Sequence, residues 1–229
     1  PPQARKPEAV ADMRQQIALS MSRSKREIPH YYLATTIDFT NASRWLEATN
    51  ATLPVTERLL YGVLLIKAVA RALEGFPDLN GFWRDGTFAA ANSINVGTAI
   101  RLHQGGLVAP ALIGANRLPL SELMRNFRDL VLRARTGRLR ATELASATIT
   151  LTSLGEGNVE TVYPIIHPPQ VAIIGFGSVV VRPWCAAGAV IPAPVLSATL
   201  AADHRVTDGT RGSAFLMAVT ELLQHPESL

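Results

Sequence analysis

Residues 171–181 form an apolar run that no charge interrupts, Val-Ala-Ile-Ile-Gly-Phe-Gly-Ser-Val-Val-Val. A strand of this kind has no side to offer water, so it belongs in the middle of a sheet covered on both faces. A second apolar run, residues 195–202, leads into Asp203-His204-Arg205-Val206-Thr207-Asp208-Gly209 and then an amphipathic segment, residues 210–223. That order places His204 and Asp208 at a strand-to-helix corner, where a rigid scaffold exposes side chains and holds them in place. A histidine there can exchange a proton near neutral pH, and Arg205 with a nearby carboxylate can fix the turn by charge-assisted hydrogen bonds. Taken alone, a histidine with an aspartate four residues on reads first as a surface hydrogen-bonded pair.

The remaining elements follow from periodicity and punctuation. Val10, Met13, Ile17 and Met21 recur at helical spacing, and Pro29 limits that helix. Residues 31–39 alternate as a strand, with Asn41 as the cap of a short helix through Ala48. Residues 55–73 read as one long helix, apolar apart from its ends and Lys67. Asp85-Gly86 signals a hairpin, Ile94, Val96 and Ile100 a strand, and Gly105-Gly106 a turn into residues 107–113. A helix opens at Ser121 and ends at Gly137, and residues 148–151 form a β-branched strand. Strands and helices mix without strict alternation, which predicts an α/β two-layer sandwich with a mixed β-sheet. Residues 1–9 read as the end of a proline-rich linker, leaving residues 10–229 as a single domain.

Composition removes several classes. The formal net charge is +4, from 22 basic and 18 acidic residues, and no basic run is interleaved with aromatics. Nucleic acid is therefore not the expected partner. Arg125, Arg128, Arg133, Arg135, Arg138 and Arg140 read as the solvated back of a helix. The one cysteine, Cys185, gives no disulfide framework and fits a reducing compartment. No histidine pair has metal spacing, so no metal is expected. No membrane-spanning stretch or signal peptide is evident, so the expected localisation is cytoplasmic, with no membrane partner. Gly175-Phe176-Gly177 lacks the third glycine and the following helix of a dinucleotide fingerprint.

Seven segments in register carry a resemblance: M-R-Q-Q-I-A at 13–18, I-P-H-Y-Y-L at 28–33, I-N-V-G-T-A-I at 94–100, G-L-V-A-P-A-L at 106–112, T-I-T-L-T-S-L-G at 148–155, P-I-I-H-P-P-Q-V-A-I-I-G at 164–175, and D-H-R-V-T-D-G at 203–209. In their order the chain resembles the catalytic domain of the dihydrolipoyl acyltransferase component of 2-oxo acid dehydrogenase complexes, within the chloramphenicol acetyltransferase-like superfamily. The resemblance implies transfer of an acyl group, acetyl by base rate, between dihydrolipoamide and coenzyme A. The lipoyl group would be carried on a separate domain. It implies that His204 is the general base on the thiol, that Asp208 supports the corner, and that Thr152 stands where the family has its oxyanion-donating serine. Ser153 is the alternate donor. The basic residues Arg23, Lys25 and Arg26 are candidates for the phosphates of coenzyme A. His167 replaces a usual asparagine; Asp203 before His204 favours the lipoyl branch over the antibiotic acetyltransferases, which tend to carry a second histidine there. His30 reads as a packing and hydrogen-bonding residue, and His103 and His225 as surface.

The family's sites lie in tunnels between subunits of a trimer, with coenzyme A and lipoamide entering from opposite ends. The resemblance therefore implies a homotrimer, with the decarboxylase and dihydrolipoyl dehydrogenase components as partners. The polar sequence His225-Pro226-Glu227-Ser228-Leu229 makes a higher cubic assembly doubtful. Two other readings stand beside this one: a non-catalytic structural core or binding protein of the same fold, and a coenzyme A-dependent acyltransferase acting on a small alcohol or amine.

Overall fold

The structure is a computed structural model that describes residues 7–102, 106–154, 158–186 and 188–229. The chain begins with helix α1 (Pro7–Glu27), three residues ahead of the expected domain start at Val10, followed by β1 (His30–Asp38), α2 (Thr40–Ala51) and α3 (Tyr61–Ala72). A hairpin of β2 (Gly81–Arg84) and β3 (Thr87–Ala90) comes next, then β4 (Val96–Thr98), β5 (Ile100–Arg101), β6 (Leu107–Val108) and β7 (Ala111–Leu112). Helices α4 (Leu120–Arg135) and α5 (Ala141–Ala145) precede β8 (Ile149–Ser153), β9 (Ala172–Phe176), β10 (Val180–Ala186), β11 (Ala189–Asp203) and α6 (Gly209–Gln224).

The main sheet runs β1-β11-β9-β8-β4-β7, with β10 pairing β11 beyond β9. β8 lies parallel to both β4 and β9, and the other pairs are antiparallel. The mixed sheet packs α3, α4 and α6 over one face around Leu64, Ile66, Leu123, Ile174, Leu200 and Phe215, all buried. On the other face lie the 158–170 segment and the end of α1, joined by a small cluster of Ile28, Ile166, Ile173 and Ala201. This is the two-layer α/β architecture that the patterning predicts. Among the described residues no helix is long and apolar enough to cross a membrane.

The central apolar run is not one covered strand: it divides into β9 and the start of β10, where Val181 is 71% exposed. Every residue of β9 is buried. Phe176 opposes Ala198 and Val180 opposes Val195, so three residues face two and the strand carries a bulge at 177–179. Gly177 in the bulge is where the crossing segment meets the sheet, and a Cβ there would overlap the carbonyl oxygen of Glu160. Past the bulge, β10 and the first half of β11 form an arm that extends beyond Asp38, the last residue of β1, which opposes Val195.

Three local expectations are corrected. The long helix over 55–73 starts only at Tyr61, with a 3₁₀ turn at Val55–Glu57 before it. The Asn50 side chain hydrogen-bonds both Leu59 N–H and Leu59 C=O, and Arg128 donates to the carbonyls of Thr56 and Arg58, so residues 58–60 are held extended. Asn41 does not cap α2; it lies inside the helix and donates to Gln224 O. The strand from Ile94 divides into β4 and β5, which pairs β6 outside the main sheet. Gly105 of the expected turn and His103 lie outside the described residues. The Asp85-Gly86 hairpin forms, with both residues at positive φ, 51° and 78°. Lys67, inside α3, is buried and donates to Asn116 O and Leu118 O, and burial lowers its pKa.

Candidate active site

β11 ends at Asp203, whose carboxylate is fully buried. A buried charge needs donors, and Arg205 supplies them: its backbone N–H (3.0 Å) and Nε (2.9 Å) donate to Oδ1, and its Nη2 (2.6 Å) to Oδ2. The chain turns between these two residues, with Val206 N–H and Thr207 N–H both donating to Asp203 O. His204 therefore projects from a turn pinned on both sides. Its own N–H donates to Pro29 O at 3.0 Å, and its side chain is exposed.

Asp208 caps α6, accepting from Arg211 N–H at 2.9 Å. Its role is thus to start the helix that carries the far wall of the corner. Arg211 donates to both carboxylate oxygens of Asp78 and to Gly75 O. His204, Asp208, Asp78 and Arg211 line an open concavity of about 370 Å³.

Sequence reasoning missed Tyr31. Its ring meets the His204 imidazole edge-on, with centroids 5.2 Å apart, and its hydroxyl is 2.9 Å from Thr207 Oγ1. Gly212 on α6 leaves the space, since a Cβ there would lie 2.8 Å from the phenol oxygen. Burial raises the Tyr31 pKa, so the phenol stays neutral. The available signal was Tyr31 at the head of an alternating strand, on the same face as Leu33.

Thr152 and Ser153 end β8 and, as successive strand residues, point to opposite faces. Ser153 opposes Phe176, a residue of the helix-side core; Thr152 opposes Gly175, whose face lies under Val162 and Thr199. Thr152 is therefore on the face without the large helices. The structure does not bring it to His204 within one chain. Thr152 is level with Gly175 and Thr199, and His204 lies five residues further on, just past the end of β11. Two strand spacings of about 4.8 Å and five residues of about 3.3 Å separate their Cα atoms by about 19 Å.

The three basic candidates do not converge. Arg23 pairs with Glu27 and borders a cleft of about 470 Å³ with Trp83, Arg84 and Arg205. Lys25 instead sits over the Tyr32 ring and bonds its hydroxyl, and Arg26 is exposed. Among the described residues no group of three or more His, Cys, Asp or Glu is placed to hold a metal.

His30 is a hydrogen-bonding residue at the start of β1. Its Nδ1–H donates to Ile28 O and its Nε2 accepts from Ile166 N–H, a pattern open only to the neutral ring. Burial lowers its pKa, and burial also lowers that of His167. The sign follows: stability is full above the ordinary histidine value and is lost as pH falls through the lowered folded values. Protonating His30 removes the Ile166 acceptor, a loss on the order of 1 kcal/mol. For a chain of this size that lowers Tm by roughly 2–4 °C. Melting curves between pH 7 and pH 5 should show the fall, and a His30→Gln variant should show a shallower one. Equal acid limbs would remove His30 as the cause.

The sequence matches the family described as 2-oxoacid dehydrogenases acyltransferase (catalytic domain) over residues 2–229. It is 31% identical over 218 residues to the dihydrolipoyllysine-residue acetyltransferase component of the pyruvate dehydrogenase complex of Zymomonas mobilis, covering 95% of this chain and 49% of that protein. It is 34% identical over 229 residues to the lipoamide acyltransferase component of the branched-chain alpha-keto acid dehydrogenase complex of Pseudomonas aeruginosa, covering 96% and 52%. The chain thus spans about half the length of the curated relatives it matches. The structure superposes with a TM-score of 0.87 on Azotobacter vinelandii dihydrolipoamide acetyltransferase, at 26% identity, covering 93% of this chain and 88% of that one. That protein was studied for the role of a serine, a histidine and an asparagine in its catalytic mechanism; its serine precedes the histidine by 52 positions and its asparagine follows by 4. A chloramphenicol acetyltransferase at 13% identity and a TM-score of 0.62 shares the fold. Sequence and fold together make the chain a member of the 2-oxoacid dehydrogenase acyltransferase catalytic-domain family.

Proposed function

We propose that this domain, with residues 10–229 as its catalytic unit, transfers an acyl group between coenzyme A and dihydrolipoamide, as the core of a 2-oxo acid dehydrogenase complex. The lipoyl group arrives on a separate domain, and the decarboxylase and dihydrolipoyl dehydrogenase components are the partners. The compartment we propose is the cytoplasm. The observation that carries the reading is the pinned corner that exposes one imidazole in a member of this family. Thr152, His204 and Asp208 also repeat the 52- and 4-residue intervals of the three residues studied in the Azotobacter protein.

His204 takes the proton from the attacking thiol, and the thiolate adds to the thioester carbonyl. The negative charge then sits on the carbonyl oxygen, where the Thr152 hydroxyl donates a hydrogen bond. Collapse breaks the original C–S bond, and the leaving thiolate recovers the proton from His204. Asp208 does not move protons; it holds the start of α6. Base and oxyanion donor must both lie within a few ångströms of one carbon. A single chain keeps them about 19 Å apart, so the two come from neighbouring subunits, and we propose a homotrimer.

The surface that suits this assembly is the β10–β11 arm. It exposes Val181 (71%), Val190 (68%) and Ile191 (41%), and apolar strand surface of this kind favours a protein partner. A Val181→Glu, Val190→Glu double variant is expected to run as a monomer and to lose at least about tenfold in activity, while still melting cooperatively. Light scattering that still gives a trimer would exclude the arm as the contact.

The function is tested by acyl transfer from acetyl-, succinyl- and isobutyryl-CoA to free dihydrolipoamide, with small alcohols and amines as competing acceptors. Acetyl-CoA is the donor we propose. Transfer only to an alcohol or amine would replace lipoamide in this reading. No transfer with any pair would leave a structural core.

A further inference from the structure

We propose that Trp83, on the β2–β3 hairpin, is a positioning residue for His204 that acts through the guanidinium of Arg205. The proposal rests on the reading of His204 as the base. Asp203 and Arg205 flank His204, and their clamp sets the direction in which the imidazole leaves the corner. The clamp ties a fully buried carboxylate to a guanidinium whose side chain is 29% exposed, so water competes for Arg205 on its open side. Trp83 closes one face of it. The Arg205 Cζ lies 4.4 Å from the centroid of the indole ring, a stack that favours a planar cation held flat.

The strand that carries the ring is itself anchored. The backbone N–H of Trp83 donates to Pro169 O at 2.8 Å, and neighbouring Phe82 bridges Gln170. The Gln170 carboxamide accepts from Thr150 Oγ1 (2.8 Å) and donates to Ala147 O (3.1 Å), which fixes the hairpin to the base of β8. Arg205 is the wall between the cleft that holds Trp83 and the open concavity that holds His204. Without the indole, Arg205 is wet on both sides and the turn carrying His204 loses its brace. Trp83 touches neither the imidazole nor, on this reading, the substrate, so its loss acts on geometry.

The test compares Trp83→Phe, which keeps an aromatic face, with Trp83→Leu, which keeps an apolar side chain without one. Trp83→Leu is expected to lower kcat about 10- to 100-fold with KM for both substrates nearly unchanged, and Trp83→Phe to stay within about threefold of wild type. Hydrogen exchange at the Val206 and Thr207 amides, which donate to Asp203 O, should quicken in Trp83→Leu and not in Trp83→Phe. Equal behaviour of the two variants in both measurements overturns the proposal. A rise in KM at constant kcat also overturns it, because Trp83 would then contact substrate. If the wild-type protein transfers no acyl group, the reading of the reaction falls, and the exchange comparison still decides the role of Trp83.

Discussion

Replacing His204 by alanine should lower kcat for acyl transfer by about 10²- to 10⁴-fold, the range that a positioned general base contributes. Stability should change little. The His204 side chain is exposed, its backbone bond to Pro29 O survives the change, and the Asp203–Arg205 clamp does not involve the imidazole. KM for both thiols should hold, since the ring acts on a proton more than on binding. Steady-state kinetics beside a thermal melt checks this. A His204→Ala protein that keeps most of its kcat would mean that another group activates the thiol. A Tm loss of many degrees would mean that the imidazole is structural.

Thr152→Ala should cost about 10²- to 10³-fold in kcat, the effect of deleting one oxyanion donor, and Thr152→Ser should be tolerated because the hydroxyl remains. Ser153→Ala should be close to neutral, since Ser153 shares the helix-side face with Phe176. The decisive form of the experiment mixes two inactive proteins. If His204 of one chain meets Thr152 of the next, His204→Ala and Thr152→Ala subunits assembled at random rebuild about a quarter of the sites in a cyclic interface. Activity that returns on mixing establishes the shared site. A mixture as inactive as its parts would require both groups to act within one chain, against the separation of about 19 Å fixed by sheet register.

Local chemistry explains how much could be read without coordinates. The run at 171–181 announced a central strand because it carries no charge, and β9 is buried throughout, although the run ends at an exposed Val181. The corner at 203–209 was legible because an apolar strand, a charged turn and an amphipathic helix follow one another within the chain. The helix over 55–73 failed for the opposite reason. Its first residues have helical composition, but Asn50 and, from far along the chain, Arg128 take the backbone groups that a helix would have used. The same holds for Trp83, which lies in no motif, and for Tyr31, whose segment I-P-H-Y-Y-L does not announce its contact: each meets a partner more than a hundred positions away.

Hydrophobic periodicity and short-range hydrogen bonding are local properties, so the mixed sheet, the histidine at the strand-to-helix corner and its neighbours were legible in the chain alone. Tertiary packing alone sets which of two adjacent hydroxyls turns away from the helices, which ring stacks on Arg205, and how far apart His204 and Thr152 lie within one chain. These depend on strand order and register, which arise when segments remote in sequence are buried against one another.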